Sequence, residues 1–258
     1  MVVNIFGNEA GAKMASEHNA IAIIVDVLRA STTIPTAMAN GLEEICVVQE
    51  VADCFQAQKE IGAFIMGERE CVKLPEFLYG NSPVEMAAVA NSCPTKKAIF
   101  TSSTGAKRVI EACEASYLLI GSIINAKAVA EKTLTLWEKE VKPIVIIPAF
   151  TEGPITKEQM GTEDQIGSVL IARECLKSGI QLSQDILHEI HVLERFLQEQ
   201  TIEELLRKTA HGKKLLELNF VKDITFSSNL NSCEVVPIAT KETIRKLQTN
   251  AKMVCFRK

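Results

Sequence analysis

Short runs of Val, Ile and Ala recur between Val2 and Ile147, separated by stretches in which apolar residues return every three or four positions. The runs at 21–25, 45–48, 63–66, 98–100, 117–120 and 144–147 are short and apolar on both parities, the pattern of strands buried on both faces. Strands alternating with helical stretches predict a largely parallel sheet covered on both sides, a three-layer α/β/α arrangement. After Phe150 the spacing turns helical, over 166–176 and again over 186–206, and strand character is expected to return around 224–226 and 235–238. The expectation is one compact α/β unit over 1–258 with a helix-rich C-terminal half and a lobe boundary near the Gly- and Pro-containing segment 149–161.

Local signals place several helix ends. Ser82 precedes Pro83 and stands three before Glu85, and Thr162 stands three before Gln165; both are N-terminal capping patterns. Ser31, Thr32 and Thr33 are expected to precede a helix that Asn40-Gly41 closes.

Composition narrows the class of function. With 258 residues, 47% of them apolar, the chain can bury a sizeable core. A net charge of -4 without any Lys/Arg run excludes a broadly basic surface, so no nucleic-acid partner is expected. Aromatic residues make up 5%, too few for base-stacking platforms. No apolar stretch approaches the roughly 18 residues of a membrane span, and no leader is evident, so no membrane partner and a cytoplasmic location are expected. The eight cysteines include no C-x-x-C pair and read as reduced, packed thiols. A small polar or charged ligand fits this composition, and a homo-oligomer is left open.

Three strand-to-helix junctions hold the informative polar residues. Asp26 and Arg29 follow the run at 21–25, Glu68 and Arg69 follow the run at 63–66, and Ser102, Ser103, Thr104 and Gly105 follow the run at 98–100. Open α/β sheets place ligands at such carboxyl ends. Taken singly, each is explained equally well by a helix cap or a solvated ion pair. Together with Asp164 they supply hard oxygen ligands, cationic clamps and hydroxyl-rich turns, the parts of a metal-assisted phosphoryl transfer. Glu163 and Asp164 also complement the positive end of a helix, a structural reading that stands beside the chemical one. His188 and His191 lack an H-E-x-x-H context and read as surface or packing residues, and no G-x-S-x-G, P-loop or G-x-G-x-x-G occurs.

The ordered set Val25-Asp26-Val27-Leu28-Arg29-Ala30-Ser31-Thr32, Gly67-Glu68-Arg69, Gly80-Asn81-Ser82-Pro83-Val84-Glu85 and Thr162-Glu163-Asp164, with a late segment from His211-Gly212 through Asp223 to Val236-Pro237, resembles the 2-phosphosulfolactate phosphatase family. The resemblance implies an α/β, Mg²⁺-dependent phosphatase that converts 2-phospho-3-sulfolactate to sulfolactate and phosphate in coenzyme M biosynthesis, or acts on a related phosphorylated acid. It implies Asp26, Arg29, Glu68 and Asp164 as catalytic residues, with Asp26, Glu68 and Asp164 holding Mg²⁺. The resemblance also implies Arg69 and Asn81 as substrate-binding residues, and the hydroxyl-rich turn of Ser102, Ser103, Thr104 and Gly105, read from its place before a helix, is expected to bind substrate with them. The chain departs from the family's pattern at Glu70-Cys71, at Leu78-Tyr79 where an Asp is usual, at Thr104 and Ala106, and at Pro148 and Phe150. A non-catalytic binder of small anions, keeping the arginines and losing part of the reaction centre, is the alternative, and a scaffold with charged loops is a third.

Overall fold

The computed structural model describes residues 3–258; Val2, where the apolar alternation begins, lies outside the described residues. The strands are β1 (Val3–Ile5), β2 (Ile21–Val25), β3 (Glu44–Val47), β4 (Phe64–Gly67), β5 (Lys97–Thr101), β6 (Tyr117–Gly121), β7 (Ile144–Pro148), β8 (Ile238–Thr240), β9 (Ile244–Lys246) and β10 (Lys252–Arg257). The helices of the first half are α1 (Asn8–Glu17), α2 (Ala30–Ala39), α3 (Val51–Ile61), α4 (Pro83–Val89), α5 (Gly105–Glu111) and α6 (Ala126–Lys139). Those of the second half are α7 (Glu163–Lys177), α8 (Gln184–Glu199), α9 (Ile202–Lys208), α10 (Ala210–Glu217) and α11 (Val221–Ser227).

One ten-stranded sheet runs in the order β1-β7-β2-β6-β8-β10-β3-β5-β4, with β9 on β10. The pairs β1·β7, β7·β2, β2·β6, β3·β5 and β5·β4 are parallel, as expected of the first half. The C-terminal strands enter between these two parallel blocks in antiparallel register. The period-two alternation of β2 divides the core. Ile21, Ile23 and Val25 pack with Ile144, Ile146, α6 and α7 on one face, while Ala22 and Ile24 pack with Val145, Ile147, α1, α2 and α5 on the other. Each such isoleucine stabilises the fold by about 1.5–3 kcal/mol, so the centre of the sheet is a rigid base for the loops at its carboxyl edge.

Several expectations are corrected. Residues 224–226 belong to α11 and not to a strand, because Phe220, Ile224 and Ser227 recur at helical spacing and Ile224 and Ser227 are both buried on one face. The strand expected at 235–238 begins only at Ile238. The stretch 186–206 is two helices, divided where Thr201 caps α9 in a reciprocal capping box with Glu204. Ser31, Thr32 and Thr33 lie inside the first turn of α2 and not ahead of it. The cysteines are not all reduced: register sets Cys255 of β10 opposite Cys46 of β3, with Cα atoms 4.0 Å apart and a disulfide between them.

Glu44 of β3 receives Arg257 of β10 at 2.7 Å and Lys97 of β5 at 3.5 Å. Burial opposes its charge, yet Arg257, Lys97 and Arg245 hold its carboxyl below the ordinary 4.5. A depressed carboxylate contributes stability that is present above the unfolded value and is lost as pH falls through the folded one. Glu44→Gln should therefore lower the thermal midpoint at neutral pH, with the gap to wild type closing below pH 4.5; a gap that widens in acid would contradict this assignment.

Candidate active site

The carboxyl ends of β2, β4, β5 and β7 meet α7 and α10 around a cavity of about 400 Å³. Asp26 emerges directly after β2. Its Oδ1 accepts from Ala30 N–H at 3.3 Å, while among the described residues no group bonds to Oδ2. The start of α2 is stitched to the end of β2: Asp26 N–H donates to Ser31 Oγ at 2.8 Å, and Ser31 Oγ–H donates to the Ile24 carbonyl at 3.1 Å. Gly105 lies beneath the carboxylate; a Cβ there would sit 2.5 Å from Asp26 Oδ2, so the close approach of α5 requires glycine. Burial, together with the neighbouring Glu68 and Glu163, pushes Asp26 up to about 6 against the opposing field of His211.

Asp164 is raised well above its ordinary value by burial, then by Glu163 and Asp26. Its oxygens are engaged, Oδ1 by Val27 N–H at 2.8 Å and Oδ2 by Phe150 N–H at 3.1 Å. Glu68 is likewise occupied: Ser103 N–H reaches Oε1 at 2.6 Å, and Cys71 N–H and Ser103 Oγ–H reach Oε2 at 2.6 and 3.0 Å. The structure thus brings Asp26, Glu68 and Asp164 to one cavity, but two of the three spend their oxygens on backbone amides. Among the described residues, no three potential ligand atoms here lie within 4.8 Å of one another.

The two arginines behave differently from expectation. Arg29 borders the cavity, yet its guanidinium donates to Asp223 Oδ2 at 2.7 Å and to the Cys71 carbonyl at 2.6 Å, and lies 4.1 Å from the centroid of the Phe220 ring. Arg69 does not line the cavity. It donates to the carbonyls of Glu68 and Gln49 and to Thr101 Oγ1, which itself donates to the Gln49 carbonyl at 2.9 Å. Asn81, Ser103 and Thr104 line the cavity. Ser102 and Gly105 do not: Ser102 Oγ accepts from Ala106 N–H at 3.1 Å and serves the start of α5.

The cavity residues not singled out for chemistry from sequence include Cys71, Glu163, His211 and Lys214. His211 on α10 sets Nε2 3.2 Å from Cys71 Sγ and Nδ1 3.1 Å from Glu163 Oε1. Burial opposes its charge, but its bonds to Cys71 and Glu163 and the field of Asp26 push it up to about 11. Lys214, one turn on, meets Glu70 at 2.7 Å across the mouth. The late His-Gly segment pointed towards α10, whereas nothing local marks Lys214.

The Arg29–Asp223 pair is buried, with side chains 2% and 3% exposed. Removing one partner of such a pair leaves an uncompensated charge and costs about 3–5 kcal/mol. Asp223→Ala should lower the urea-unfolding free energy by that amount; a loss under about 1 kcal/mol, the scale of an exposed pair, would contradict it.

The profile of the 2-phosphosulpholactate phosphatase family matches residues 9–242. A probable 2-phosphosulfolactate phosphatase of Carboxydothermus hydrogenoformans is 34% identical over 226 residues, covering 87% of this chain and 88% of the relative. Proteins of the same description from Prochlorococcus marinus (32% identical, 83% of this chain and 87% of the relative) and Thermotoga maritima (30%, 84% and 87%) are similar over the same extent. The family match takes in strands β2 to β8, the cavity residues and α7 to α11, and with it the chain belongs to the 2-phosphosulpholactate phosphatase family.

Proposed function

We propose that the protein is a Mg²⁺-dependent phosphatase that hydrolyses 2-phospho-3-sulfolactate, or a closely related small phosphorylated acid, to the free hydroxy acid and phosphate. The observation that carries this reading is the open Oδ2 of Asp26 in a cavity lined by Asp26, Glu68, Glu70, Glu152, Glu163 and Asp164 against Arg29, His211 and Lys214. So many carboxyls exceed what the bases can offset, and an anionic substrate enters such a site only with added positive charge. The carboxylates around Asp26 offer oxygen donors, which suit a hard cation. Mg²⁺ is commonly held by one or two carboxylates with water and substrate phosphate completing the shell, so the lack of a closed cage is compatible with it. Asp26 through Oδ2 would hold it. Bound there, the ion would neutralise charge on the phosphoryl oxygens.

The chain's own groups divide the remaining work. Glu68 and Asp164 fix the loops after β4, β2 and β7 by accepting their amides. Lys214 is the cation on the rim, and a carboxylate or sulfonate of the substrate would take the place of Glu70 beside it. The binder reading depended on two arginine clamps, and both guanidinium groups are already engaged within the protein.

Phosphate release should require Mg²⁺, stop in EDTA, and fall on the order of a hundredfold or more in Asp26→Asn; metal-independent turnover, or an active Asp26→Asn, would sink the proposal. Lys214→Ala should raise KM roughly tenfold, the scale of one charge-assisted hydrogen bond, with little change in kcat. A kcat loss at unchanged KM would remove Lys214 from substrate binding.

A further inference from the structure

Among the described residues, Cys71 is the one cysteine that lines the cavity; Cys54, Cys93, Cys113 and Cys175 are buried elsewhere and Cys233 is half-buried. Its main chain is fixed on both sides, the N–H by Glu68 Oε2 and the carbonyl by Arg29, each at 2.6 Å. Glu70 and Cys71 both adopt left-handed backbone, φ 53° and 71°, a conformation uncommon for residues with a Cβ. The thiol therefore stands on a sharp, held turn. Sγ, the His211 imidazole and the Glu163 carboxylate follow in line at 3.2 and 3.1 Å, the order nucleophile, base, orienting acid. Asn81, 4% exposed, borders the same cavity, and among the described residues its buried Oδ1 has no hydrogen-bond partner.

We infer that Cys71 is the covalent nucleophile of this cavity, and that hydrolysis proceeds through a phosphocysteine. The inference rests on the phosphatase reading and goes beyond it. With Nδ1–H directed at Glu163, one further proton is shared between Sγ and Nε2. When that proton is on Nε2, the sulfur electron pair attacks phosphorus; the S–P bond forms, the ester P–O bond breaks, and the leaving oxygen takes the proton from Nε2. Water then attacks the phosphocysteine, its proton going to Nε2. The O–P bond forms, the S–P bond breaks, and inorganic phosphate departs with the starting Cys71–His211 pair restored. The balance is ester plus water to alcohol plus phosphate, with no redox partner.

The experiment combines turnover of 2-phospho-3-sulfolactate by wild type and Cys71→Ala, the stereochemical course at a chiral, isotopically labelled phosphoryl group, and iodoacetamide mapping of the wild-type cysteines. Two displacements predict retention at phosphorus, loss of turnover on the order of a hundredfold or more in Cys71→Ala, and alkylation of Cys71 ahead of every other free cysteine. Inversion at phosphorus, or a Cys71→Ala variant within about threefold of wild type, would overturn the inference while leaving the phosphatase reading intact. The stereochemical test uses wild type and so decides even if Cys71→Ala fails to fold. If wild type shows no turnover, the phosphatase reading falls and alkylation decides alone. Selective reaction at Cys71, slowed at least about tenfold in His211→Asn, supports the nucleophile; uniform slow reaction overturns it.

Discussion

The buried Arg29–Asp223 pair is the constraint on which the site depends. Arg29 begins α2, Asp223 lies in α11, and Asp223 Oδ1 also accepts from Ser82 at the start of α4 at 2.6 Å. One carboxylate thus joins three elements distant in sequence, and the arginine it orients carries the Cys71 carbonyl on its other nitrogen. Removing a guanidinium and a carboxylate from water is unfavourable unless the geometry is good and the remaining donors are satisfied. Here the hydrogen bonds and the Phe220 ring meet those conditions, and their net effect is positional: the C-terminal helices are held over the carboxyl edge of the sheet.

Around that frame the acids separate into two kinds. Glu68 and Asp164 accept backbone amides and set the shape of the loops, while Asp26 keeps an oxygen free. Each is within about a tenth of full burial, and burial first, then the fields of neighbouring carboxylates (Glu68 and Glu163 on Asp26, Glu163 and Asp26 on Asp164), pushes both Asp26 and Asp164 upward. Such crowding of like charge destabilises a fold, and its presence where a packed apolar cluster was available is the pattern of a site shaped for a ligand.

The sheet was legible because β2, β5, β6 and β7 are short runs apolar on both faces, richest in Val and Ile at β2 and β7. The junctions holding Asp26, Glu68 and Ser103 followed from it, since parallel strands deliver their carboxyl ends to one edge. Three things were not legible. The insertion of β10 between β8 and β3, and with it the disulfide, joins residues 209 apart in sequence, and no local spacing encodes that. The orientation of Arg69 depends on which carbonyls its neighbours leave open. His211 and Lys214 lie on α10, which packs against α9 and α11, the latter tied to Arg29 through Asp223, and no local spacing records that packing.

The departures from the family's pattern now divide by position. Leu78, which stands where an Asp is usual, is 47% exposed and does not line the cavity; Tyr79 packs edge-on against Phe64. Ala106 is buried in the first turn of α5, and Pro148 ends β7. These four alter packing and surface, so the missing Asp removes no group from the cavity wall. Glu70, Cys71, Thr104 and Phe150 do line it. Glu70 adds a charge that competes for Lys214, Cys71 adds a thiol beside an oriented imidazole, and Phe150 adds a half-exposed ring to the wall. Changes confined to the wall of a cavity, with the Asp26 junction and the Arg29–Asp223 frame in place, alter which acid is accepted and how the phosphorus is attacked while leaving the fold as it is.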